Sequence, residues 1–287
     1  MKADTGQSPP ANIGLPLHQI NLRCMKRILL FALLFIGARP GQPNDDFCGI
    51  SNKSFTHGER ILYKVHYSVI GIYVDAGDAS FTVDRTLFGN KPVYHLTGLG
   101  TSNPRYDWIF KVRDRYESYI DTGSLRPYHF KRDVYEGGYA FKENVTFDQA
   151  RNQAETKKGR YNVPACVQDV LSAIYYARNI DFDKYKPGDK IPFSMFIDEE
   201  VHPLFIRYLG REVIKTRYGR YHAIKFSPLL INGTIFSGGE KMLVWVSDDK
   251  NHVPLRIESP ITVGSVKVDM KGYSNLRYPL SCRLSGI

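Results

Sequence analysis

Arg60-Ile61-Leu62-Tyr63-Lys64-Val65-His66-Tyr67-Ser68-Val69 is the stretch that decides the fold class. Ile61, Tyr63, Val65, Tyr67 and Val69 alternate with Arg60, Lys64, His66 and Ser68, the period of two expected of a strand with one buried face. The same reading recurs at 79–83, 93–97, 116–120, 128–134, 191–197, 204–209, 221–226, 242–246, 254–258 and 263–270. Turn signals separate these runs: Phe88-Gly89-Asn90-Lys91, Pro187-Gly188-Asp189, Asn232-Gly233 and Asp248-Asp249-Lys250-Asn251. One segment breaks the pattern. Val167, Val170, Leu171, Ile174 and Tyr175 fall at helical spacing after Pro164 and predict an amphipathic helix over 165–179, its apolar stripe packed on a sheet.

The two sides of that helix resemble each other. Gly58-Glu59-Arg60-Ile61 answers Gly188-Asp189-Lys190-Ile191, and the turns at Gly89 and Gly219 follow at the same distance of 31 residues. Tyr119-Ile120-Asp121 before Pro127-Tyr128 likewise resembles Trp245-Val246-Ser247-Asp248 before Pro254-Leu255. The expected fold is mainly β: two related antiparallel meanders, about 56–160 and 185–275, forming curved sheets or a partly open barrel joined by one crossover helix. A single β-rich domain over 48–275 and a tail over 276–287 complete the organisation.

Composition agrees with a globular protein: 43% hydrophobic and 24% charged residues among 287 supply a core and exclude general disorder. Met25-Lys26-Arg27, the apolar run 28–36 and Gly37-Ala38 have the basic, apolar and small-residue order of an export signal. The run falls short of the roughly 20 apolar residues of a membrane-spanning helix, so no transmembrane anchor is expected there. No cysteine follows Ala38 directly, so lipid attachment at a new N-terminal Cys lacks its pattern. Residues 1–24 are polar and aperiodic, which makes Met25 the expected start and the preceding stretch a leader outside the true reading frame start. Without residues 1–38, which carry four basic residues and one acid, the formal charge of +10 falls to +7. The basic residues are interspersed with acids, as in Arg113-Asp114-Arg115, so the charge reads as solvated strand faces and no nucleic-acid partner is expected.

The chain has no Gly-x-Ser-x-Gly elbow, phosphate loop, His-Glu-x-x-His or Cys-x-x-Cys. No catalytic residue, cofactor or metal is therefore assigned. Glu199, Glu200 and His202 form a polar cluster short of a full ligand set, and Asp248, Asp249 and His252 read as turn residues. Asn52-Lys53-Ser54, Asn144-Val145-Thr146 and Asn232-Gly233-Thr234 match glycosylation acceptors, relevant only in a eukaryote. Aromatics are the positive anomaly, with 19 Tyr and 16 Phe. Tyr106, Trp108 and Phe110, alternating beside Lys111, Arg113 and Arg115, are the candidate ligand surface.

Together these residues resemble a bacterial family, domain of unknown function 3108. The resemblance rests on the exported start, a Cys before Phe55-Thr56-His57-Gly58-Glu59-Arg60-Ile61-Leu62-Tyr63, Ala76-Gly77-Asp78-Ala79, and Cys166-Val167-Gln168-Asp169-Val170-Leu171-Ser172. It continues through Val244-Trp245-Val246-Ser247-Asp248-Asp249 to Pro254-Leu255-Arg256-Ile257, and covers about 48–275. It implies an exported, periplasmic or outer-envelope β-rich protein of a kind common in Bacteroidetes, with no established activity. The strand ending in Trp245 and the Pro254 return are also faintly similar to lipoprotein carriers, whose curved sheets hold acyl chains. Two function classes follow. One is a non-enzymatic envelope protein that binds an apolar or amphipathic ligand, lipid or lipoprotein-like, or serves as a scaffold. The other is a glycan-acting hydrolase or transferase with dispersed carboxylates, for which an acid on an apolar strand face would be the mark; Asp78 and Glu117 come nearest. Within the family-like region, Cys48 and Cys166 are the expected disulfide, with Cys48 and Cys282 the competing pair.

Overall fold

The computed structural model describes residues 48–69, 72–231, 238–261 and 264–285; the export segment and the Asn232 acceptor lie outside them. Eight strands run outward from the first: β1 (Arg60–Val69), β2 (Ile72–Phe88), β3 (Lys91–Ser102), β4 (Arg113–Asp121), β5 (Pro127–Glu136), β6 (Tyr139–Asp148), β7 (Gln153–Thr156) and β8 (Gly159–Asn162). Six more return: β9 (Lys190–Ile197), β10 (Glu200–Thr216), β11 (Gly219–Pro228), β12 (Leu243–Ser247), β13 (Pro254–Pro260) and β14 (Ser265–Ser274). Within each run every strand pairs antiparallel with its sequence neighbour, and β14 pairs with β1, Tyr63 opposite Met270, so the two meanders make one sheet whose outer members are β8 and β9. A short β15 (Arg283–Leu284) adds to β11. Long, alternating strands pay their backbone groups into this ladder, and the right-handed twist of the strands curves it.

The sheet does not close through a backbone ladder. Instead, Gln168 N–H donates to Ser194 O (2.9 Å) and Gln168 O accepts from Phe196 N–H (2.9 Å), covering the open edge of β9. Side chains span the remaining gap: Lys158 pairs with Glu199 at 2.9 Å, Glu143 accepts from Asp198 N–H at 3.0 Å, and Arg132 holds Asp198. Beneath them Phe130, Val145, Phe147, Val167 and Phe196 form an apolar seam. The result is a partly open barrel.

Its concave side is filled by the crossover. Helix α2 (Val170–Ala177; α1 is the short turn Asp107–Phe110 described below) buries Leu171, Tyr175 and Tyr176 against Phe55, Leu96, Ile120, Phe182 and Ile224. Burying each such side chain contributes about 1.5–3 kcal/mol. Gly98 admits the helix closely, since a Cβ there would stand 3.1 Å from Leu171 Cδ2. The helix is shorter than the expected 165–179 at both ends. Its start is displaced because Gln168 gives its backbone to β9 and Cys166 sits at φ 61°, so the first turn begins only after Asp169. Asp169 and Ser172 then form a capping box, Asp169 Oδ1 accepting from Ser172 N–H at 2.8 Å. At the other end Arg178 turns inward to Glu59, and Asn179 Oδ1 accepts from Lys53 N–H at 2.6 Å.

Candidate functional site

The chain between β3 and β4 forms two helical turns in place of the alternating stripe that Tyr106, Trp108 and Phe110 suggest. Asn103 Oδ1 accepts from Arg105 N–H at 3.1 Å and starts a 3-10 turn at Pro104–Tyr106, which runs into α1. Arg113 clamps this turn from the base of β4. Its Nη2 donates to Asp107 Oδ2 at 2.5 Å and its Nη1 to Asp107 Oδ1 at 3.2 Å, while Ser102 Oγ donates to the same carboxylate and accepts from Val112 N–H at 2.9 Å. The Arg113 guanidinium and the Ser102 hydroxyl hold Asp107 below the usual carboxylate range. The Phe110 ring lies directly on Gly137, where a Cβ would come within 2.2 Å of it, and Lys111 O accepts from Gly137 N–H at 2.9 Å.

With both ends fixed, the turn projects three successive apolar side chains: Trp108 is 82% exposed, Ile109 63% and Phe110 47%. Lys111 Nζ stands 5.6 Å from the centre of the Tyr135 ring, Tyr135 and Tyr139 are themselves exposed, and Arg105 is exposed on the approach. The candidate residues therefore separate. Trp108 and Phe110 make the exposed surface, Tyr106 is half-buried at its base, and Arg113 positions it. Arg115 lies apart on the outward face of β4, paired with Glu117 at 3.0 Å, beside His95 and Tyr119, whose rings stack 4.3 Å apart.

Asp114 and Glu136 are hydrogen-bonded to each other across β4 and β5, next to this turn. Burial first, and the Glu136 charge second, push Asp114 up to about 7, against the Tyr135 N–H that donates to its Oδ1 at 3.1 Å. An acid whose folded pKa is raised loses stability as pH climbs from its ordinary range, near 3.8, through about 7. Asp114→Asn keeps an acceptor for Tyr135 N–H and a donor for Glu136. Thermal melts from about pH 5 to about pH 8 should therefore show wild type losing ground to Asp114→Asn as pH rises. Parallel curves would remove the shared proton from this reading.

Neither acid nearest the glycanase mark carries it. Asp78 is half-exposed between Lys64 (3.2 Å) and Lys271 (3.0 Å), and Glu117 is bridged by His95 and Arg115. The acids that do enter the interior, which sequence reasoning missed, are neutralised or capped: Glu59 by Arg178, Glu143 by Arg132, Asp269 by Arg256, and Asp169 by Ser118 and Ser172. A cleft of about 890 Å³ at the β2–β3, β4–β5 and β6–β7 turns is lined by Phe88, Lys91, Asp121, Tyr128, Glu155 and Arg160 among others. There Asp121 accepts from Ser124 and Tyr128, and Glu155 pairs with Arg160 at 3.2 Å. Glu199 pairs with Lys158, and His202 stands 3.9 Å from Glu200. Asp249 accepts from Ser247 Oγ and Asn251 N–H within its own turn. Among the described residues no group of three or more His, Cys, Asp or Glu is gathered as a metal requires, and no helix is long and apolar enough to cross a membrane.

The fold is similar to that of a crystallised β-barrel-like protein of domain of unknown function 1849 from Brucella abortus, with a TM-score of 0.52 and 7% identity over 77% of this chain and 99% of that one. A candidate lipoprotein from Parabacteroides distasonis aligns at a TM-score of 0.35 and 15% identity over 78% of this chain and 100% of that one. A candidate exported protein with a YmcC-like fold from Bacteroides fragilis aligns at 0.30 and 9%, over 77% and 97%. No curated protein matches. The family model described as "Protein of unknown function (DUF3108)" matches residues 62–271, and the chain belongs to that family.

Proposed function

We propose that the protein is an exported, non-enzymatic envelope component that docks on the headgroup–acyl boundary of an anionic bilayer through Trp108, Ile109 and Phe110. Export is supported by the basic, apolar and small-residue order of Met25 to Ala38. The observation that carries the docking is the exposure of three consecutive large apolar side chains on a turn clamped by Arg113 and Gly137. A rigid turn loses little conformational freedom on insertion, and Trp suits the boundary because its ring is apolar while its N–H can stay hydrated. Arg105 and Lys111 flank the apolar tip and match an anionic surface. Because α2 occupies the concave side of the sheet, an amphipathic ligand is met at this tip and not wrapped by the sheet.

Co-sedimentation with phosphatidylglycerol vesicles tests the reading. Trp108→Ser with Ile109→Ser should weaken binding by about tenfold or more, a change of about 1.4 kcal/mol, while leaving the thermal midpoint near wild type because both side chains are exposed and the Phe110 contact on Gly137 is kept. Equal vesicle binding by the variant, or none by wild type, would overturn it.

A further inference from the structure

The geometry points to a second site, independent of the bilayer reading: a cationic groove at the β10–β11 tip that binds a phosphate-bearing ligand. The groove, about 470 Å³, is lined by Lys215, Thr216, Arg217, Arg220 and Arg283, together with Gly219, Leu284 and Ser285, and no Asp or Glu lines it. Elsewhere on the same hairpin, cations are neutralised: Arg207 by Glu240, Arg211 by Asp183 and Asp248, and Lys225 by Glu212. At the tip the pattern reverses. Among the described residues Lys215, Arg217, Arg220 and Arg283 are exposed and none forms an ion pair with a carboxylate.

Their arrangement is costly without an anion. Lys215 stands directly opposite Arg220 in the β10–β11 ladder, and like charges at directly opposed positions destabilise a sheet. The backbone that carries these charges is held in place by its own turn. Thr216 Oγ accepts from Tyr218 N–H at 3.0 Å and donates to Gly219 O at 3.2 Å, and Tyr221 Oη donates to Tyr218 O at 3.1 Å. Gly219 sits at φ 153°, and a Cβ there would come within 2.8 Å of Tyr221 Oη. Arg283 arrives from β15, lines the groove and donates through Nη2 to Tyr218 O at 3.3 Å. Several guanidinium forks and an ammonium around one concavity match the several acceptor oxygens of a phosphate group, and binding it removes the Lys215–Arg220 repulsion.

Thermal melts of the full chain in inorganic phosphate, against chloride at the same ionic strength, test the site. Phosphate well above its dissociation constant should raise the wild-type midpoint by roughly 2–4 °C. Arg217→Ser with Arg220→Ser should abolish that rise, yet in chloride the variant should melt no lower than wild type, since it has lost a repulsion. Glycerol phosphate and a short-chain phosphatidylglycerol below its micelle concentration distinguish the source: stabilisation by the lipid alone, lost in the variant, identifies a headgroup site, and stabilisation by all three a free phosphate site. No shift from any of the three beyond chloride, or an equal shift in the variant, would overturn the inference.

Discussion

Glu59→Gln should cost about 3–5 kcal/mol of folding stability in a urea titration, although it changes one oxygen to an amide and leaves the side chain's shape intact. The reason is the partner left behind. Arg178 is 2% exposed and Glu59 fully buried, with Nη1–Oε1 at 2.5 Å and Nη2–Oε2 at 2.9 Å. Burial works against the guanidinium charge, and the Glu59 carboxylate overrides it and holds Arg178 protonated beyond its ordinary range. The remaining N–H groups go to Asn251 O at 3.1 Å and Ser54 O at 3.4 Å, and the guanidinium lies beside the rings of Phe55 and Tyr175. One side chain thereby ties the lead-in to β1, the end of α2 and the β12–β13 turn. Removing the carboxylate strands a positive charge in the core, whereas removing both charges does not. The pair Glu59→Leu with Arg178→Met should therefore lose less than the sum of the single changes, the mark of a coupled buried pair. A loss below about 1 kcal/mol for Glu59→Gln would sink this account.

That pair also shows where sequence reading ends. β1 is legible because five apolar residues alternate without interruption, and most other long strands announce themselves in the same way. β6 does not, because Glu143 occupies an inward position between Phe141 and Val145 and breaks the period; only Arg132, on the neighbouring strand, makes that acid tolerable. β7 and β8 are four residues each, too short for a period of two to register, and they exist through pairing to β6. In the candidate site the exposed residues were legible and their backbone was not. Residues 106, 108 and 110 alternate like a strand, and the turn is imposed by Asn103, Pro104 and the Asp107–Arg113 clamp. The cationic tip escapes the sequence reading, which takes the basic residues as solvated strand faces: Lys215, Arg217 and Arg220 are local, but Arg283 reaches them only because β15 pairs with β11. Glu59 and Arg178 are 119 residues apart, and nothing local in either says that they meet.

Replacing Cys48 and Cys166 by Ala should lower stability by about 2–5 kcal/mol, and a reductant should do the same to wild type. The two cysteines are bridged in the structure, with Cα atoms 5.5 Å apart across 118 residues. A loop of that length restricts the unfolded chain by about 4–5 kcal/mol in chain-entropy terms, and measured gains are commonly smaller. Cys282 is a buried thiol pushed up to about 12 by burial first and by Asp249 second, so it offers little thiolate to exchange with the bridge. Cys282→Ala should accordingly leave the reductant-sensitive stability unchanged; if instead it removes that sensitivity, Cys282 is a bridge member and the assignment fails. The bridge also shares its task with the buried ion pair. The lead-in is held to α2 by Ile50 N–H donating to Tyr176 Oη at 3.2 Å, by Ser54 Oγ donating to Arg178 O at 2.6 Å, and by the Glu59–Arg178 contact. Once the bridge is cut, the segment depends more heavily on those contacts. Adding Glu59→Gln to the cysteine-free chain should then cost more than the two changes measured separately, because the segment that carries Phe55 into the main core would have lost two of its long-range ties at once.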